Sequence, residues 1–231
     1  MNKLYALLSV RDGARDDILA QLAGDTRRCA ESADGVEATL LASVPGDPIL
    51  HLYRMRGYEV SLVLRAAGEA SEAAELLLAT LDGLGARLGD GIHADLSAAV
   101  FASENPVVPP PAQDTRYMSL MRRKLGTSHD EYTSYYRTEH ARFGRECPGS
   151  TGYHQNYVDR RTSKQAADTL GFGIWDLDSV TEIFIPSAQT FDEATRNDPI
   201  REEAAIDEAR FIDQPSMVGF CMSVAARLGN C

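Results

Sequence analysis

Four prolines fall within ten residues at 105–114 (Asn-Pro-Val-Val-Pro-Pro-Pro-Ala-Gln-Asp), and no other feature limits this chain of 231 residues as strongly. Proline fixes φ and lacks an amide donor, so the stretch excludes helix and favours an extended, polyproline-type spacer. It leaves two parts of similar size, 1–104 and 115–231, which is where a tandem duplication would place its junction.

Both parts read with the same order of elements. In the first, the apolar run 4–10 is a strand, and 12–33 has helical spacing at Ile18, Leu19, Leu22 and Cys29, ended by Gly35. Residues 36–44 form a second strand, closed by Pro45-Gly46-Asp47-Pro48, and 49–65 has strand character interrupted at Gly57. Ala73, Leu77, Leu81, Leu84 and Leu88 repeat at helical spacing, and 92–102 is a closing strand. In the second part, 117–123 is a strand. Thr127 and Ser128 with Asp130 and Glu131 make a helix start, and Pro148-Gly149 stops that helix after Cys147. A strand follows at 151–158, a polar stretch read as loop at 160–169, β-rich runs at 172–177 and 180–185, helices at 188–197 and 199–209, and a last strand at 217–225. Each half is thus β-α-β-β-α-β, the ferredoxin-like order. The fold class is α+β: two tandem ferredoxin-like modules whose sheets pack together as a pseudo-dimeric α+β barrel.

The chemistry-bearing residues concentrate in the second half. On a helix over 128–147, Tyr132, Tyr135, Tyr136, Glu139, His140 and Phe143 share one face. A structural helix would place Leu, Ile or Val there; a stripe of phenols with an imidazole needs hydrogen-bond partners and suits a pocket wall. The strand after it alternates. Tyr153, Gln155 and Tyr157 point one way, and His154, Asn156 and Val158 the other. Tyr153 and Gln155 are expected to face the helix, with His154 and Asn156 on the opposite sheet face. Arg122 and Arg123 end the preceding strand, where one of them could steady an oxyanion or phenolate.

Glu139-His140-Ala141, Pro148-Gly149, Gly152-Tyr153-His154-Gln155-Asn156, Val180-Thr181-Glu182-Ile183-Phe184 and the acid-rich 207–213 occur in that order. Together they resemble the EthD family over residues 116–224, within the dimeric α+β barrel superfamily. The resemblance implies a pocket between sheet and helices, a small hydrophobic or aromatic substrate, and relatives that work without a cofactor as isomerases, cyclases, dehydratases or quinone-forming oxygenases; others bind haem. The expected catalytic residues are His140, which moves a proton, Tyr136 and Tyr153, which orient substrate, and Arg123. Tyr132, Phe143, Gln155, Asn156 and Trp175 are the expected substrate contacts. No cofactor and no metal are expected. His140 and His154 with Glu139 or Glu182 match no ligand spacing, and haem ligation by His140 is a minor alternative.

A net charge of -11 argues against partners rich in phosphate, both nucleic acid and anionic membrane. The N-terminal apolar run is too short to span a bilayer and lacks a small-residue cleavage site. Cys29, Cys147, Cys221 and Cys231 form no CxxC pair, so zinc and thioredoxin-like chemistry are unsupported. Cys147 reads as an unreactive small residue, and His51, His93 and His129 as surface or structural. No phosphate-cradling glycine loop and no Gly-x-Ser-x-Gly elbow occurs. The expectation is a cytoplasmic, homodimeric, cofactor-independent lyase, dehydratase or isomerase. Its alternatives are a cofactor-free monooxygenase of phenols or anthrones, and a non-catalytic binding protein.

Overall fold

The computed structural model describes residues 1–32, 35–53, 57–110 and 114–228, without the side chains of 25–32 and 51. The expectations for Cys29, His51, Cys231 and residues 111–113 therefore lie outside the described side chains or residues.

Eight strands, β1 (Asn2–Leu8), β2 (Val36–Ser43), β3 (Val60–Ala66), β4 (Ala98–Val108), β5 (Thr115–Met121), β6 (Gly152–Val158), β7 (Ser179–Ile185) and β8 (Val218–Leu228), close a barrel in the order β1-β3-β2-β8-β5-β7-β6-β4. Every ladder is antiparallel. Around the barrel the first four strands run β4-β1-β3-β2 and the last four β8-β5-β7-β6, with seams at β2–β8 and β4–β6. Closure needs no second copy of the chain.

Several strands are buried along their whole length, because one face looks into the barrel and the other lies under helices. Tyr5, Leu7, Val63, Val100, Met118, Leu120, Val180 and Phe220 fill the interior. Outside, α1 (Arg15–Ser32) and α2 (Ala70–Leu81) cover the first half, where Leu77, Leu78 and Leu81 meet Leu4, Leu62 and Leu64 in one apolar cluster. The short α3 (Leu84–Leu88) follows α2. Over the second half lie α4 (His129–Tyr135), α5 (Ala141–Glu146), α7 (Ala188–Thr195) and α8 (Pro199–Phe211).

Three readings need correction. Residues 160–169 are not a loop but helix α6 (Arg160–Leu170). The Asp159 carboxylate accepts the amides of Arg161 and Thr162 at 3.0 Å, Gly171 closes the helix at φ 73°, and a narrow face of Ala166, Ala167 and Leu170 is buried. That face is too small and too poor in large side chains to stand out from its polar surroundings. Residues 172–177 contribute only a single bridge, Gly173 to Ala98, and the stretch after Ile49 makes one 3-10 turn (Leu50–Leu52) before β3.

The first residues of the proline-rich stretch, up to Val108, belong to strand β4 and are not a free spacer. β4 runs through Val108 and pairs with β6, and the register shifts between Pro106 and Val108. A β-bulge is where a strand tolerates a proline. The spacer boundary at 105 therefore falls inside a strand.

Candidate active site

Ser128 caps α4 by accepting the Glu131 amide, and the Glu131 carboxylate takes the Ser128 amide at 2.8 Å in return. After α4 the helix widens into a π turn over Tyr136–His140 and resumes as α5. A π turn admits an extra residue, which changes the phase of the helix. Tyr132, Tyr136, His140 and Phe143 are buried against the sheet as their spacing implied, while Glu139 is exposed.

A cavity of about 280 Å³ lies between this helix, α7, α8 and the outer face of β5, β6 and β7. That is space for about nine waters at ~30 Å³ each. Its walls are mainly apolar, with Ile49, Met121, Phe143, Ile183, Phe191 and Met217 among them. The polar groups that reach it are His140, Tyr153, Tyr53, Tyr117, Ser119, Thr181, Arg201 and Glu208. An apolar hollow with a few converging polar groups is the usual form of a small-molecule site.

His140 Nδ1 stands 2.9 Å from Asp207 Oδ2, and Asp207 Oδ1 accepts the Tyr135 hydroxyl at 2.6 Å. With the carboxylate accepting at Nδ1, the other ring nitrogen, Nε2, is left with its lone pair for a cavity ligand. Burial lowers the His140 pKa below its ordinary value, and Asp207 opposes that shift. The ring is thus neutral at neutral pH and suited to accept a proton.

Gln155 organises the neighbouring phenol. Its amide nitrogen donates to the Tyr136 carbonyl at 2.6 Å and lies 2.9 Å from the Tyr153 hydroxyl, while its oxygen accepts from Tyr157 at 2.7 Å. The Tyr136 hydroxyl bonds Thr181 Oγ1 at 2.5 Å, and the Tyr53 and Tyr117 hydroxyls bond each other. Burial, the largest effect in each case, pushes Tyr53, Tyr117, Tyr136 and Tyr153 above the ordinary phenol range, so all four stay protonated donors. Cys147 also lines the cavity, and burial raises its thiol to about 11, which keeps it protonated.

Of the expected site residues, His140, Tyr153 and Phe143 line the cavity. Tyr136 and Gln155 stand one layer behind and hold the groups that do. Tyr132 is wholly buried with its hydroxyl on Ser179 at 2.6 Å. Three expectations fail on position. Arg123 is turned to Asp178, with Nη1 at 2.6 Å and its amide at 2.8 Å from that carboxylate, and lies outside the cavity. Asn156 points into the barrel and donates to the Val180 carbonyl at 2.9 Å. Trp175 packs beside Tyr58 against the barrel-interior cluster, with ring centres 6.0 Å apart and planes tilted by 43°, away from the cavity.

His154 and Glu182 also face the barrel interior, so they form no ligand set with His140. There they meet Glu104 closely enough to resemble a metal site. Lys3 Nζ already sits among these groups, 2.8 Å from Glu104 and paired with Glu182. Arg116 Nη1 adds a bond to Glu182 at 2.7 Å. The ammonium holds the cation position, and the two carboxylates are balanced. His154 Nδ1 is 2.8 Å from Glu104 Oε1.

Asp207, Glu208, Arg201, Tyr53 and Tyr117 were not foreseen in the site. Asp207 and Glu208 lie in the acid-rich segment that carried the family resemblance, and two acids within a helix that must pack on a buried histidine were the available signal. Tyr53 comes from the first half and reaches the cavity only through tertiary structure.

An eight-stranded antiparallel α+β barrel with a histidine-bearing cavity under the helices of its second half is the class these features define. Residues 124–215 match the family model of the EthD domain. No curated protein matches the chain in sequence. Among solved structures, the chain resembles that of an anthrone oxidase-like protein (11% identity, TM-score 0.62, covering 98% of this chain and 91% of that one). It also resembles a mutant chlorite dismutase from Candidatus Nitrospira defluvii (10%, 0.53, 96% and 91%) and a heme-binding protein from Thermus thermophilus (16%, 0.50, 97% and 91%). At these identities the likeness establishes the fold, that of the dimeric α+β barrels.

The last of those proteins is a heme-binding one, which raises the question of haem. His140 could offer Nε2 as an axial ligand, but a macrocycle of roughly forty non-hydrogen atoms does not fit a cavity of about 280 Å³. Among the described residues no helix is long and apolar enough to cross a membrane.

Proposed function

We propose that this chain is an enzyme that abstracts a proton from a small, largely apolar, oxygenated or aromatic compound and carries out an isomerisation or elimination without a bound cofactor. One observation carries the reading: a buried, neutral imidazole, oriented by Asp207 through Nδ1, forms part of the wall of an apolar cavity sized for one or two rings. His140 is the base. Its low basicity in the pocket keeps it unprotonated at the working pH. Developing charge on a substrate oxygen is met by hydroxyl donors already in place, Tyr153, held by Gln155, and the Tyr53–Tyr117 pair. The apolar walls exclude water, which strengthens those bonds.

In this reading residues 1–104 and 115–231 are two ferredoxin-like modules in tandem, a view supported by the identical strand order of the two halves. The first module completes the barrel and also supplies Tyr53.

A second reading, oxygenation of a phenol or anthrone, is favoured by the likeness to the anthrone oxidase-like protein. It shares the first step, deprotonation by His140. Oxygen uptake during turnover separates the two.

The test is His140→Ala assayed on a panel of enolisable ketones and phenols that the wild type turns over. Loss of about a hundredfold or more in kcat is expected. Turnover within a few-fold of wild type would remove His140 from the chemistry.

A further inference from the structure

Asp207 and Glu208 are consecutive residues of α8, and consecutive helical positions diverge by about 100°. Asp207 turns to His140, and Glu208 turns into the cavity beside Ala204 and Ala205, with Arg201 further along the same face. Among the described residues the Glu208 carboxyl has neither a hydrogen bond nor an ion pair, and Asp207 is the charge that acts on it. The side chain is half-buried at the cavity wall. The other polar groups that face the same space are Tyr53, Arg201, Tyr117 and Ser119 from β5, Tyr153 from β6, Thr181 from β7, His140, Cys147 and Thr195.

We propose that Glu208 is a second catalytic residue of this cavity, the proton donor that complements His140, and that the substrate is a small β,γ-unsaturated or otherwise enolisable ketone undergoing a proton shift between two carbons. The proposal rests on His140 being the base. Burial, with Asp207 adding to it, raises Glu208 to about 7, so part of it holds its proton at neutral pH. Two groups of different basicity in one pocket allow one to take a proton while the other gives one.

The step balances. His140 Nε2 takes the proton from the carbon between the carbonyl and the alkene. The C–H electron pair moves into the C–C–O system and gives a dienolate, whose oxygen is met by the tyrosine hydroxyls. Glu208 gives its proton to the far alkene carbon, the electron pair returns to the carbonyl, and the conjugated ketone results. The imidazolium then passes its proton through solvent to the Glu208 carboxylate. Nothing is oxidised or reduced, and no group is lost.

The experiment uses the full chain in D2O with a β,γ-unsaturated cyclohexenone as probe. Conjugated product is followed by ultraviolet absorbance and deuterium at each carbon by NMR. Wild type is expected to isomerise the probe. Glu208→Gln, which preserves shape, is expected to keep exchanging deuterium at the carbon next to the carbonyl while isomerising about a hundredfold more slowly or worse. His140→Ala is expected to do neither. Isomerisation by Glu208→Gln within a few-fold of wild type overturns the role of Glu208 and leaves His140 untouched. Exchange by His140→Ala at the wild-type rate overturns the base and this proposal with it. A wild type inert to the probe overturns the substrate class.

Discussion

Asp207 Oδ2 lies 2.9 Å from His140 Nδ1 and thereby ties α8 to the π turn that carries the imidazole. The contact selects the tautomer and fixes the ring between Phe143 and Phe211, whose ring centres lie 5.2 and 5.1 Å away. A residue 67 positions away in sequence thus decides which nitrogen of His140 is available.

Asp207→Asn removes the effects that raise the His140 pKa and leaves the burial that lowers it. The acid limb of the kcat/KM profile on the ketone probe should therefore move to lower pH, with kcat reduced by about a hundredfold or more. A limb that moves to higher pH, or does not move, would show that this carboxylate does not act on the ring.

Glu208 makes a prediction that needs no substrate. Its carboxyl is raised from 4.5 to about 7, so the folded protein retains a proton that the unfolded chain releases. Stability then falls as pH rises through that window and stays reduced above about 7. Glu208→Gln should melt like wild type on the acid side and higher on the alkaline side. At 1.36 kcal/mol per unit the alkaline gain is about 3 kcal/mol at most. Equal melting temperatures above pH 7 would mean that Glu208 is solvated as an ordinary surface acid.

The barrel interior titrates in the opposite sense. Burial alone would raise Glu182, but Lys3 and Arg116 outweigh it and hold the group well below the carboxylate range. Glu104 behaves likewise, with His154, Lys3 and Arg65 overcoming burial. Both contributions are fully present above 4.5 and are lost as pH falls below it. Urea midpoints of the wild type should therefore drop on the acid side of that value. Glu182→Gln leaves Lys3 and Arg116 without their shared partner at a cost of about 3–5 kcal/mol, with a shallower acid dependence. A flat urea profile for wild type would contradict a charged Glu182.

The phenol and imidazole stripe on the 128–147 helix was legible because helical spacing is local, and so was the inward face of β6, because strand alternation is local too. What pairs with those side chains was not. Arg123 was expected near the substrate from its place at a strand end. The Asp178 that claims it arrives from beyond α6, at a sequence distance of 55, and nothing near Arg123 announces it. Trp175 failed for the same reason: an aromatic residue in a β-rich run gives no sign of which surface it will cover. α6 was hidden by composition, since Leu170 is the single large side chain on a buried face otherwise made of Ser163, Ala166 and Ala167. Tyr53 enters the site only because the two halves close one barrel, a consequence of the β2–β8 seam that no local pattern encodes.

A last constraint lies at Gly219 in β8. The residue pairs with Ser119 across β5 and β8, and a Cβ there would stand 2.2 Å from the Tyr53 ring and 2.7 Å from the Tyr117 hydroxyl. Gly219→Ala must therefore part the two phenols, and the Tyr53 segment, a short turn, yields more easily than strand β5. Overpacking of this kind costs about 1–3 kcal/mol. If the glycine serves to admit Tyr53, the cost should be recovered largely when Tyr53→Ala is added, because the clashing ring is gone. The two substitutions in contact then couple rather than add. Denaturant melts of the four proteins in that cycle measure the coupling. Purely additive costs would show that Gly219 is small for some reason other than the tyrosine pair.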